Sequence, residues 1–92
     1  MKPNYILYDA VFEKKFEKYR KQLTDAERQR LKKRLKIFRE DIFDKRLRTH
    51  KLKGELQEYY AFYISYSDRI VFKILKDEGI YFIDIGSHDV CY

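Results

Sequence analysis

The sequence predicts an α+β fold in which a helical hairpin packs on one face of an antiparallel four-stranded sheet, in the order β-α-α-β-β-β. Two observations carry that prediction. In the first half, apolar residues recur every three or four positions in two consecutive stretches, the spacing of one helix face. In the second half, three apolar and aromatic runs are separated by turns short enough for consecutive hairpins. With 92 residues only one core can be built, so residues 1–92 are expected to form a single domain.

Asn4 to Tyr8 (NYILY) is a β-branched and aromatic stretch that reads as the first strand. Asp9 follows as an N-cap. Phe12, Phe16, Tyr19 and Leu23 then form one helical stripe. Thr24-Asp25-Ala26-Glu27 has the form of a capping box, in which the Thr24 hydroxyl accepts from the Glu27 amide and the Glu27 carboxylate accepts from the Thr24 amide. A second helix starts there, with Leu31, Leu35, Phe38 and Ile42 as its stripe and seven Lys and Arg residues between Arg28 and Arg39 on its other faces. Two matching stripes joined by a tight corner must be buried against something flat. After a polar, basic stretch from Asp44 to Glu55, the strand-like runs are Leu56 to Tyr66, Arg69 to Leu75 and Ile80 to Ile85, the last stopping at Gly86. In the middle run Ile70, Phe72 and Ile74 share one face, while Arg69, Val71 and Lys73 share the other. With the isoleucines under the helices, Arg69 and Lys73 are expected to look outward from a basic face able to hold a phosphate.

Composition narrows the function classes. Hydrophobic residues make up 45% of the chain against three Gly and one Pro, which excludes disordered and collagen-like chains. No apolar run approaches the roughly 18 residues of a membrane span. The opening MKPNYILYDA is too short in apolar residues for a secretory signal, so a cytoplasmic protein without a membrane partner is expected. One cysteine, Cys91, and two histidines offer no disulfide and no zinc spacing, so neither a metal nor another cofactor is expected. From Glu13 to Lys53 there are 17 Lys and Arg against 7 Asp and Glu, a balance of +10, whereas the rest of the chain, with 4 against 8, carries −4. Such asymmetry fits a polyanionic partner, nucleic acid or an acidic protein, and equally a solvated helix face.

Walker, dinucleotide-binding, nucleophile-elbow and zincin motifs are all missing from the sequence. What remains is a polar set in the second half: His50, Lys51, Lys53, Arg69, His88, Asp89 and Tyr92. Taken singly, each has an ordinary explanation as a surface histidine, an edge-strand charge or a packing aromatic. Together, a histidine, an arginine and a tyrosine on one basic surface are what metal-free RNA cleavage needs. The 2′-hydroxyl loses a proton, cations match the charge on the pentavalent phosphate, the 5′-oxygen gains a proton, and aromatic faces hold the bases.

Read in order, THKLKGELQEYY (Thr49 to Tyr60), SDRIVFKI (Ser67 to Ile74) and FIDIGSHDVCY (Phe82 to Tyr92) resemble the RelE/ParE superfamily of type II toxin–antitoxin toxins. Its pattern runs as an H-x-L-x-G loop, an aromatic-rich strand, a D-Y-R-V-I-Y-K-I strand and a closing I-G-x-H-x-x-x-Y. The YafQ-type and RelE-type mRNA interferases resemble the chain most. The resemblance implies a ribosome-dependent mRNA endoribonuclease that enters the A site, cuts by 2′-hydroxyl attack and is neutralised by an acidic antitoxin. By the same resemblance His50 is a candidate general base and His88 a candidate general acid, with the division of the two roles between them left open, while Arg69 binds the scissile phosphate and Tyr92 is the closing aromatic. Lys51, Lys53 and Lys73 would support the substrate. Three departures stand out: Asp68 replaces an aromatic, Asp84 stands where an arginine can occur, and Tyr63 sits about where a second histidine does. A non-enzymatic, ParE-like inhibitor of DNA gyrase and a non-toxic basic RNA-binding domain are the competing readings.

Overall fold

The computed structural model describes residues 1–54 and 58–87. Strand β1 (Ile6–Tyr8) leads into α1 (Ala10–Lys21) and α2 (Asp25–Glu40). A short 3₁₀ turn (Lys45–Leu47) precedes β2 (His50–Lys51), β3 (Tyr59–Tyr63), β4 (Asp68–Ile74) and β5 (Ile80–Ser87). The five strands form one sheet in the order β1-β5-β4-β3-β2.

Both helix starts follow from their caps. Asp9 accepts from the Phe12 amide at 2.9 Å. Thr24 and Glu27 close the reciprocal box, with the Thr24 amide 2.8 Å from Glu27 Oε1 and the Glu27 amide 3.2 Å from Thr24 Oγ1. Arg28 then donates to the Arg20 carbonyl at 3.1 Å, tying the second helix back to the end of the first.

Between helices and sheet lies an aromatic core. Phe38 is wholly buried, its ring stacked on Phe62 at 4.2 Å and edge-on to Phe72 at 5.1 Å. Phe12 meets Phe82 at 5.4 Å, and Leu31, Ile37, Ile70, Ile80 and Ile85 fill the remaining space. Each such side chain contributes about 1.5–3 kcal/mol by leaving water. A second cluster, Leu52, Ala61 and Val71, with Tyr59 and Ile83 against it, contains no helical residue. Because strand side chains alternate, this cluster marks the sheet face turned away from the helices.

The sandwich of two helices on a sheet is as expected, but the sheet has five strands and is mixed. One added strand is β2, inside the stretch read as a polar loop. With two residues, His50 opposite Ala61 and Lys51 opposite Tyr60, it is too short to show alternation. The other difference is direction: β1 runs parallel to β5, pairing Ile6, Leu7 and Tyr8 with Ile80, Tyr81 and Phe82, while the remaining pairings are antiparallel. The last strand also passes the expected stop, since Gly86 pairs with Arg69 and Ser87 with Asp68. A register shift between Val71 and Phe72 leaves Ile83 as the extra residue of a bulge.

Candidate functional site

The loop from α2 to β2 is held by its own side chains. Asp44 caps the 3₁₀ turn by accepting from the Arg46 amide at 2.9 Å, and its carboxylate grips the Arg46 guanidinium at 2.9 and 2.8 Å. These bonds from Arg46, side chain first and then amide, lower the Asp44 pKa to about 2. Arg34 of α2 donates to the Arg46 carbonyl, and the Thr49 hydroxyl donates to the Ile42 carbonyl at 2.6 Å. Leu52 anchors the far end, its amide 2.9 Å from the Tyr59 carbonyl and its side chain against Ala61 and Val71.

Arg48 closes the turn in the left-handed region, at φ 51° and ψ 38°. Its carbonyl lies 3.0 Å from His50 Nδ1. A carbonyl can only accept, so this contact is a hydrogen bond when Nδ1 carries the proton, the tautomer that leaves Nε2 as the lone-pair nitrogen. His50 is exposed and shares the face of its partner Ala61. Two residues along β3 on that face is Tyr63. Its ring lies 6.0 Å from the His50 ring at 23°, and the Arg48 guanidinium carbon lies 4.0 Å from the Tyr63 centroid. Arg48 Nη2 also donates to the Tyr66 carbonyl at 3.3 Å. A proton acceptor, an aromatic platform and a guanidinium thus meet at one end of the sheet.

Arg69 pairs with Tyr63 and belongs to the same face, but it is only 2% exposed. The expectation that it looks outward to meet a phosphate is therefore corrected. Gly86, directly opposite, puts no side chain beside it and takes a φ of 154°, which favours glycine. Lys73 is on the expected face, beside Tyr59, with Nζ 3.6 Å from Glu58 Oε2. Lys51 pairs with Tyr60, whose ring packs toward the helix-side core, so strand alternation sets it on the opposite face from His50. Lys53 is exposed beyond β2. His88 and Tyr92 lie outside the described residues.

The departures acquire physical roles. Asp68 Oδ2 accepts from the Tyr19 hydroxyl at 2.8 Å, joining α1 to the start of β4. Burial first, and then this carboxylate, raise the Tyr19 phenol above its ordinary pKa. Asp84 accepts from Lys15 of α1 at 3.0 Å. Tyr63 is the shared platform of Arg48 and His50. Arg48 is the site residue that sequence reading passed over, because its placement depends on a left-handed backbone that no arginine announces. Along α2, Arg30, Lys32, Lys33, Lys36 and Arg39 are exposed. A groove of about 550 Å³ lined by Ile6, Tyr8, Phe12, Phe16, Leu35 and Phe82 lies toward the opposite, β1 edge of the sheet and contains none of the site residues.

Among the described residues no three His, Cys, Asp or Glu side chains gather as metal ligands, and no helix is long and apolar enough to cross a membrane.

No family model and no curated protein matches the sequence. Solved structures do match. YafQ from E. coli strain BL21(DE3) is 18% identical with a TM-score of 0.74, over 95% of this chain and 96% of that one. A chain of the E. coli DinJ–YafQ complex is 19% identical with a TM-score of 0.72, over 95% and 96%. The YoeB/ParE toxin from Agrobacterium tumefaciens is 17% identical with a TM-score of 0.68, over 96% and 99%. Near-complete coverage on both sides, at an identity too low to carry function, means that this chain has the fold of the YafQ and YoeB/ParE toxins.

Proposed function

We propose that residues 1–92 act as one toxin domain of a type II toxin–antitoxin pair, a metal-independent endoribonuclease that cuts mRNA on the ribosome in the cytoplasm. The observation that carries this reading is the His50 ring, fixed with Nε2 as acceptor on an exposed face beside Arg48 and Tyr63. In the proposed reaction Nε2 takes the proton of a 2′-hydroxyl, the 2′-oxygen attacks the adjacent phosphorus, and the 5′-oxygen leaves with a proton. A 2′,3′-cyclic phosphate results. His88 is proposed as the general acid and Tyr92 as the aromatic that orients the substrate, both from the family resemblance. Arg69 is assigned to electrostatic stabilisation from beneath the surface, with Lys51, Lys53 and Lys73 as peripheral contacts to the RNA.

Two partners are proposed: the ribosomal A site with its mRNA, and an acidic antitoxin. The exposed cations of α2 support a polyanionic partner. The fold shared with a toxin solved in the DinJ–YafQ toxin–antitoxin complex supports an antitoxin.

Primer extension on a defined mRNA in a reconstituted translation system tests the reading. Wild-type protein should give cuts only with ribosomes present, and His50→Ala should slow them by about 10²–10⁴-fold, the usual loss for a general acid–base group. Undiminished cutting by His50→Ala would refute the role of His50. Inhibition of gyrase supercoiling without any mRNA cleavage would refute the nuclease reading altogether.

A further inference from the structure

We infer that Arg48 is a further working residue of this site, with its two roles divided between backbone and side chain. Its carbonyl holds His50 as the Nδ1–H tautomer, and its guanidinium, stacked on Tyr63, binds a phosphate of single-stranded RNA. The choice of RNA rests on the proposed function; the geometry stands apart from it.

Three observations support this. First, Arg48 holds a left-handed backbone that is disfavoured for a residue with a Cβ. The lacing by Asp44, Arg46, Arg34 and Thr49 on either side keeps it there. That conformation aims the carbonyl at His50 Nδ1, and such local strain is found where a site must be preorganised.

Second, among the described residues no carboxylate is in ion-pair contact with Arg48. Arg46, Arg20, Arg28, Lys15 and Lys73 all have such partners. Arg48 is exposed, and its bond to the Tyr66 carbonyl engages one donor of a fork that has five.

Third, the guanidinium sits 4.0 Å from the centroid of the Tyr63 ring, which the His50 ring also faces. A ring beneath the fork holds the plane by cation–π attraction while leaving its edge free to meet a phosphate in a bidentate way. With Arg69 only 2% exposed, Arg48 is the arginine beside His50 that a phosphate reaches from solvent.

The test uses the full chain and a 2′-O-methyl hexaribonucleotide, which lacks the attacking hydroxyl and so stays intact. Two-bond ¹H–¹⁵N spectra at pH 8 should show His50 protonated on Nδ1; an Nε2–H tautomer would overturn the backbone role. On titration with the oligonucleotide, the Arg48 Nε–H and Tyr63 ring resonances should shift saturably. Arg48→Asn keeps a residue that tolerates the left-handed backbone and removes the cation. It should weaken binding about tenfold or more, while Arg48→Lys, charged but without the planar fork, should fall between. The slope of log affinity on log salt should drop by about 1 in the Asn variant. Unchanged affinity and slope in a folded Arg48→Asn protein would overturn the side-chain role, as would wild-type titration that leaves Arg48 and Tyr63 unmoved. Tight, Arg48-dependent binding without ribosomal cleavage would leave this inference standing and sink the nuclease reading. Cleavage with no dependence on Arg48 would do the reverse.

Discussion

Removing one oxygen, in Tyr19→Phe, tests how the helical hairpin is fastened to the end of the sheet. The Tyr19 hydroxyl donates to Asp68 Oδ2 at 2.8 Å and is the described side-chain hydrogen bond between α1 and the first residue of β4. The ring itself packs against the main core beside Phe16 and Leu23, and phenylalanine keeps that packing. A hydrogen bond to a charged acceptor is worth about 1.5–3 kcal/mol. Both residues are partly exposed, so water re-solvates the carboxylate in the variant, and the expected loss is nearer about 1–2 kcal/mol. At about 4–8 °C per kcal/mol for a domain of this size, the melting temperature should fall by roughly 4–16 °C.

Urea unfolding at pH 7 should show the midpoint falling with the slope unchanged, since buried area is the same. A double-mutant cycle with Asp68→Asn isolates the pair: the two losses should be less than additive by at least about 0.5 kcal/mol. Additive losses, or a Tyr19→Phe protein as stable as wild type, would refute the reasoning. Alkaline pH gives an independent check. A phenol whose folded pKa lies above its unfolded value contributes stability fully present below about pH 10, and that stability is lost as pH rises through the folded pKa. Wild type should therefore lose stability above pH 10 more steeply than Tyr19→Phe.

Phe38→Ala should cost about 3–5 kcal/mol by denaturant unfolding, because the ring is wholly buried against Phe62, Phe72 and Phe82; a loss under about 1 kcal/mol would show that the core collapses around the gap. In a ¹³C-detected acid titration Asp44 should be among the last carboxylates to protonate, near pH 2, and Arg46→Ala should move it up toward the ordinary range. Asp44→Asn should leave global stability almost unchanged yet broaden the His50 ring signals, since it loosens the turn that presents Arg48. Arg69→Ala should destabilise the fold by about 1–3 kcal/mol, through lost packing of a side chain that is 2% exposed; an unchanged midpoint would mean that its enclosure carries no stability.

The parts of the fold that local chemistry dictates were legible in the sequence. The Thr24–Glu27 box and the Phe12, Phe16 and Tyr19 stripe specify helices through contacts three and four residues apart, and the structure has them there, although Leu23 and Ile42, the last residue of each expected stripe, lie just past the helix ends. The hairpin of β4 and β5 is likewise local. The parallel pairing of β1 with β5 joins residues 74 positions apart, as Ile6 with Ile80, and no adjacent turn announces it. Strand β2 exists because Leu52 is pinned to Tyr59 and Ala61, a tertiary fact invisible in the letters of His50 and Lys51. The site divides the same way. His50 stands out in the sequence only through the family resemblance; its tautomer depends on the left-handed Arg48, and the stack on Tyr63 depends on the register that sets Ala61 opposite His50.

The burial of Arg69 changes what a loss of function at that position would mean. An exposed phosphate ligand can be truncated without disturbing the fold, so lost activity reports lost binding. A side chain only 2% exposed, on the strand between those of Tyr63 and Gly86, cannot, because its removal loosens the same face that carries His50 and Tyr63. In the proposed reaction its charge would still act on a nearby phosphate, since an enclosed cation is screened less than one in water. Binding through Arg48 and long-range stabilisation through Arg69 should therefore separate with salt. The exposed contribution fades as ionic strength rises beyond about 0.1 M, where the screening length is about 10 Å, and the enclosed one persists.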